Sequence, residues 1–257
     1  MDARRELPIA VLDSGVGGIS VLRELVRIMP EENYIYFGDS KNAPYGSKTR
    51  HEVLELTRKN LATLKARGIK ALVIACNTAT SAAVRVLREE NPELIIVGIE
   101  PAIKPASVIC ENPHVLVMAT ELTLSEEKFR SLVDRFADKG EFISLPCHGL
   151  VELIEQGDCE SEKIDEYFTK LFAPYKDEKI DAVVLGCTHY PHVKAMIAKH
   201  FPTATKIIDG GEGTARHTKK KLEAAGLLST ATEGKIEIIN TSGDEKMIEI
   251  SRTLLYR

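Results

Sequence analysis

Two stretches, "VIACNTAT" and "VLGCTHYP", each set a cysteine after a short apolar run and before polar side chains and a helical pattern. Cys76 and Cys187 stand 111 positions apart in these matched settings. A lone cysteine there reads first as a buried, inert thiol, since free Cys is among the most buried residue types. The repetition favours chemistry. A strand end that opens a helix offers backbone N–H groups and the positive end of a dipole, which favour a thiolate. Two such thiols suit proton transfer at carbon: one removes a proton from a carbon acid, and the other returns one to the opposite face. A thiol with a reference pKa of about 8.5 can take either part near neutrality. Cys187 with His189, and Cys147 with His148, miss the usual zinc spacings, so no metal site is expected. A Cys–His hydrolase would leave the second cysteine unexplained.

A third stretch, "VLDSGVGGIS" (11–20), looks at first like a dinucleotide loop. The fingerprint needs G-x-G-x-x-G. Gly15 and Gly17 fit it, but the third position is Ser20, and Asp13 and Ser14 precede the first glycine. No Gly-Lys-Ser/Thr follows, so a Walker loop is excluded. The residues fit a strand ending in Asp13 and Ser14, with glycines admitting a small ligand and helix N–H groups able to hold an anion.

These residues need strands to carry them. Uninterrupted apolar runs ("PIAVLD", "YIYFGD", "KALVIAC", "LIIVGIE", "HVLVMAT", "EFISLPC", "DAVVLGC", "TKIIDGG", "KIEIIN") each precede a helical or turn segment. Such runs fit strands buried on both faces, and their alternation with helices predicts α/β architecture with ligands at the strand carboxyl ends. "KALVIACNTAT" aligns with "IDAVVLGCTHY", "IAVLDSGVGGI" with "VLVMATELTL", and "YFGDS" with "SLPCH", in the same order. This predicts an internal duplication: two pseudo-symmetric domains, each a mostly parallel sheet flanked by helices, with the active site in the cleft between them. The expected boundaries are 1–97 plus 207–257 for the first domain and 98–206 for the second, with "KIIDGG" returning to the first.

The 257 residues are 44% hydrophobic and carry a formal charge of −4. With no Trp and no basic stripe, nucleic acid is not an expected partner. "KKK" (219–221) reads as a solvated helix face. No apolar run approaches the roughly 20 residues a membrane span needs, and no signal-peptide pattern is seen. A cytoplasmic protein is expected, with its five cysteines as free thiols. Cys110, Cys147 and Cys159 read as core or surface thiols, and Asp39 and Ser40 as helix-capping residues.

"LDSGVGGISVLREL", "YFGDSKNAPYGSKT", "VIACNTATSAA" and "LGCTHYP" together resemble the glutamate racemases, in order and over essentially the whole chain. The resemblance implies cofactor-independent interconversion of L- and D-glutamate, supplying D-glutamate for peptidoglycan. It implies Cys76 as the base for the D-enantiomer and Cys187 for the L-enantiomer. Asp13, Ser14, Tyr45, Gly46, Asn77, Thr78, Thr120, Thr123, Thr188 and His189 resemble substrate contacts, with Asp13 and His189 as polar partners of the thiols and Glu152 as an auxiliary. Members are often dimers, so a homodimer is expected. The chain departs from the pattern at Ala119, where Gly is usual, at His192, at Gly210 and in "SLPCHGLVELIE", where the local alignment around Glu152 shifts. With no pyridoxal electron sink, hydroxyls, amides and backbone N–H groups must stabilise the developing carbanion charge. The alternatives are an aspartate racemase, a one-cysteine isomerase or decarboxylase, and a non-catalytic small-anion binding protein.

Overall fold

Among the described residues the apolar runs form nine strands in two sheets, and every pairing in both sheets is parallel. A computed structural model describes residues 3–156 and 159–256. The chain divides into two compact units: one runs to Glu100 and resumes at Gly211, and the other is Pro101–Gly210.

In the first unit, β1 (Ile9–Asp13), β2 (Tyr34–Gly38), β3 (Ala71–Ile74) and β4 (Ile95–Gly98) alternate with α1 (Ile19–Ile28), α2 (Arg50–Ala66) and α3 (Asn77–Glu90). In the second, α4 (Ile103–Ala106) leads into β5 (His114–Ala119), α5 (Glu121–Ser125), α6 (Glu127–Asp134), β6 (Glu141–Pro146), α7 (Leu150–Glu155), α8 (Glu162–Phe172), β7 (Ala182–Leu185), α9 (Lys194–Ala198) and β8 (Lys206–Asp209). The chain then rejoins the first unit as α10 (Gly211–Ala224), β9 (Ile236–Asn240) and α11 (Glu245–Tyr256).

The strand orders are β4-β3-β1-β2-β9 and β6-β5-β7-β8. Read from its other edge, the second is β8-β7-β5-β6, the same path as β4-β3-β1-β2. The expected duplication is thus visible as topology, with β9 an addition to the first sheet. The same equivalence corrects the expected boundary. The "KIID" run, assigned from sequence to the first domain, is β8 and pairs with β7 from Ala182↔Lys206 to Leu185↔Asp209. It is the counterpart of β4: each begins nineteen residues after its cysteine. Moving β8 to the first unit would leave the second unit's β7 with an unpaired edge.

Strands without alternation must be covered on both faces. Ile9, Val11, Tyr34, Tyr36, Ala71 and Val73 pack with α1, α10 and α11 in one core. The alternate residues Ala10, Leu12, Leu72 and Ile74 are equally buried. In the second unit Leu116, Met118, Val183 and Leu185 face α7, α8 and α9, while Val115, Val117, Ala182 and Val184 face α4 and α6. Each large apolar side chain so buried contributes roughly 1.5–3 kcal/mol before entropy is counted. The parallel arrangement brings all carboxyl strand ends of a sheet to one edge, and the candidate residues sit there. No helix among the described residues is long and apolar enough to cross a membrane.

Candidate active site

In the first unit, Asp13 is the last residue of β1 and Cys76 follows β3 by two residues. Cys76 is the N-cap of α3: the Ala79 N–H donates to its sulfur at 3.4 Å. The thiol in turn points at the Ser14 hydroxyl, 3.6 Å away. Asp13, 1% exposed, accepts from the Gly15 N–H at 2.9 Å. The loop lies against the strand ends so closely that a Cβ on Gly18 would fall 2.6 Å from Asp13 Cβ and 3.0 Å from Ala75 Cβ. Here the glycine serves close approach of the loop to the strand ends themselves. Asn77 and Thr78, both buried, open α3. The Asn77 Oδ1 is buried without a hydrogen-bond partner among the described residues.

Tyr45 and Gly46 lie in a short 3-10 turn (Tyr45–Ser47) that packs on α3. Tyr45 is 2% exposed, so it is not a solvent-facing turn aromatic. Its hydroxyl donates to Asp39 Oδ2 at 2.6 Å. Burial, then that bond to the Asp39 carboxylate, raises the Tyr45 hydroxyl far above its ordinary range, so it remains a donor. Asp39 therefore does more than begin a helix. It makes no side-chain cap bond; instead its carboxylate also accepts from Asn42, Asn60 and Thr241. The capping role expected of it is replaced by a buried carboxylate that holds Tyr45.

In the second unit Cys187 follows β7 at the place equivalent to Cys76. Gly186 permits this: a Cβ there would meet Met118 O at 2.8 Å and Ala119 Cβ at 3.0 Å. The Cys187 sulfur lies 3.8 Å from His189 Nδ1, and His189 Nε2 lies 2.9 Å from Glu155 Oε1. Burial disfavours the imidazolium, but the bonds and charges of Cys187 and Glu155 outweigh it and hold His189 well above its ordinary pKa. Thr188 is buried beside them. Thr120 follows β5 and caps α5, accepting from the Thr123 N–H at 3.3 Å and donating to Thr123 Oγ1 at 2.9 Å.

Glu152, the auxiliary residue expected from sequence, is exposed on α7. Glu155 reaches His189 in its place. Leu150 and Ile154 are the buried face of α7, so position 155 adjoins the core while 152 lies about 160° around from 154 on a 3.6-residue helix. The signal was present in that apolar spacing. Of the remaining cysteines, Cys147 and Cys159 are buried and Cys110 is exposed. Burial pushes the Cys147 thiol up to about 12, so it stays protonated.

With this geometry in view, the chain can be set beside known proteins. Residues 9–218 match the family model described as Asp/Glu/Hydantoin racemase. A glutamate racemase of Clostridium acetobutylicum is 50% identical over 252 residues, spanning 96% of this chain and 97% of the relative. The chain belongs to the glutamate racemase family. It is accordingly an isomerase of the amino-acid racemase class. The crystal structure of glutamate racemase from Francisella tularensis in complex with D-glutamate superposes with a TM-score of 0.85 at 28% identity, covering 98% of this chain and 95% of that one. The Escherichia coli glutamate racemase structure, in complex with L-glutamate and the activator UDP-MurNAc-Ala, gives 0.85 at 30% identity, covering 96% and 95%.

Proposed function

We propose that this protein interconverts L- and D-glutamate by two-base proton transfer at Cα, with Cys76 and Cys187 acting on opposite faces of one substrate and no cofactor. The observation that carries the reading is the pair of thiols at equivalent strand ends of two units with one topology. A packing role needs no such repetition. The related enzymes bound to D- and L-glutamate support the choice of substrate.

In this mechanism Cys76 removes the α-proton of D-glutamate, and Cys187 protonates the opposite face to give L-glutamate. The reverse reaction exchanges the parts. Charge that develops on the substrate carboxylate is met by neutral donors: the Ser14, Thr78 and Thr188 hydroxyls and the N–H groups that open the helices. Asp13 and the unpartnered Asn77 Oδ1 are suited to the substrate ammonium. Tyr45 and Gly46 line the Cys76 side, and Thr123 fixes Thr120. His189, kept charged, stands beside Cys187 to exchange its proton and is oriented by Glu155. In a cytoplasmic homodimer the product D-glutamate would serve peptidoglycan synthesis.

Incubation with L-glutamate in heavy water tests the reading. The expected product is D-glutamate labelled at Cα, with racemisation abolished by Cys76→Ser and by Cys187→Ser. Absence of exchange by the unaltered protein refutes the racemase reading, and full activity in either variant refutes the two-base mechanism. Running the assay with aspartate fixes the specificity.

A further inference from the structure

Strand β9 is the element the first sheet has and the second lacks. Its carboxyl end lies in register with the end of β2, Asn240 opposite Gly38. From there the chain reaches the segment that follows β2. The Thr241 N–H donates to Gly38 O at 2.9 Å. Thr241 Oγ1 accepts from the Lys41 N–H at 3.1 Å and donates to Asp39 Oδ1 at 2.7 Å. Asn240 Nδ2 donates to Ser40 Oγ at 2.8 Å.

Thr241 and Tyr45 thus grip opposite oxygens of one carboxylate, Oδ1 and Oδ2. A carboxylate is planar and rigid, so a bond that fixes one oxygen fixes the direction of the other. Asn60 shares the Tyr45 side, donating to Oδ2 at 2.9 Å and to the Tyr45 hydroxyl at 3.2 Å. Asn42 touches both oxygens and does not select between orientations. Thr241 is the donor that acts on Oδ1 alone from outside the 39–60 segment. Its own direction is set by the Lys41 N–H, because a hydroxyl that accepts there directs its proton elsewhere.

We propose that Thr241 is a positioning residue for racemisation: through Asp39 it sets the place of Tyr45, and so of the Cys76 side of the reaction. The proposal rests on the two-cysteine reading above. It makes the half-reaction at Cys76 depend on a strand that has no counterpart at Cys187.

The test compares Thr241→Val, which keeps the shape and removes the hydroxyl, with Thr241→Ser, which keeps the hydroxyl. Both are assayed for racemisation in each direction with α-protonated and α-deuterated glutamate. Thr241→Val is expected to lower kcat/KM about tenfold or more, as misplacement of a binding group does, and Thr241→Ser to restore most of it. The deciding readout is the primary isotope effect on kcat/KM. With removal or delivery of the proton at Cys76 slowed, it should rise for deuterated D-glutamate and fall for deuterated L-glutamate. A loss of folded enzyme would move neither, because an isotope effect does not depend on how much enzyme is active. Isotope effects unchanged from the unaltered protein in both directions overturn the proposal, whatever the rate. If Thr241→Val does not accumulate as folded protein, Thr241→Ala supports the same comparison. Failure of the unaltered protein to racemise glutamate would instead refute the reading beneath the proposal.

Discussion

Replacing Gly18 by alanine places a methyl carbon 2.6 Å from Asp13 Cβ, 3.0 Å from Asp13 Cγ and 3.0 Å from Ala75 Cβ. The Gly18 backbone, at φ −63°, suits alanine, so the cost is purely one of space. Carbon atoms rest about 3.5–4.0 Å apart, so the loop and the two strand ends must separate by about 1 Å. Overpacking of this kind costs about 1–3 kcal/mol. The larger effect falls on function, because Asp13 precedes Ser14 and Ala75 precedes Cys76. A misplacement of about 1 Å at a reacting group costs about 100-fold in rate, or about 2.7 kcal/mol of barrier. The assay pairs kcat/KM for glutamate racemisation with urea unfolding. Gly213→Ala is the control: a Cβ there meets nothing within 4 Å, and in α10 it should raise stability by about 0.5–1 kcal/mol without touching activity. A Gly18→Ala protein with activity within twofold of the unaltered protein would refute the claim that loop contact positions Asp13 and Cys76.

Two further perturbations follow from buried charge. Lys70 and Glu32 pair with side chains 0% and 2% exposed, and Lys70 also donates to Leu227 O at 3.0 Å. Lys70→Met leaves the Glu32 carboxylate buried and should cost about 3–5 kcal/mol, much of it recovered by adding Glu32→Leu; urea unfolding measures both, and a single-variant loss below about 1 kcal/mol would contradict the assignment. Glu155→Gln removes the charge that helps hold His189 protonated. A raised histidine pKa stabilises the fold fully below the unfolded value of about 6.5 and loses that contribution as pH rises through the folded value. Glu155→Gln should therefore cost about 1–2 kcal/mol near pH 5.5 and much less at high pH. It should also move the alkaline limb of kcat/KM to lower pH. A pH-independent stability difference would argue against a charged His189.

Much of this was legible because the signals were local. Strands buried on both faces write themselves as runs such as "KALVIAC", and a duplication repeats them in order. Cys76 and Cys187 stood out by position relative to those runs. The misreadings arose where side-chain direction or distant partners decide. Glu152 was named, and Glu155 was not, because motif alignment ignores helix phase, which Leu150 and Ile154 would have set. The boundary near 206 failed because "KIID" was judged by itself, not by its spacing from Cys187. Asp39 looked like a cap because its partners Asn60 and Thr241 lie 21 and 202 positions away, and nothing near it in the sequence announces them.

The order of elements along the chain also has a timetable. β2 is made early, yet its neighbour β9 follows the whole second unit, with Gly38 and Asn240 paired across 202 positions. At about 5–20 residues per second of synthesis, that interval is about 10–40 s. Throughout it one side of β2 offers open N–H and C=O groups to any other strand, and Asp39 lacks the hydroxyl that orients it. A nascent chain released before β9 contains both cysteines but not the strand that, on the assignment proposed above, positions Tyr45.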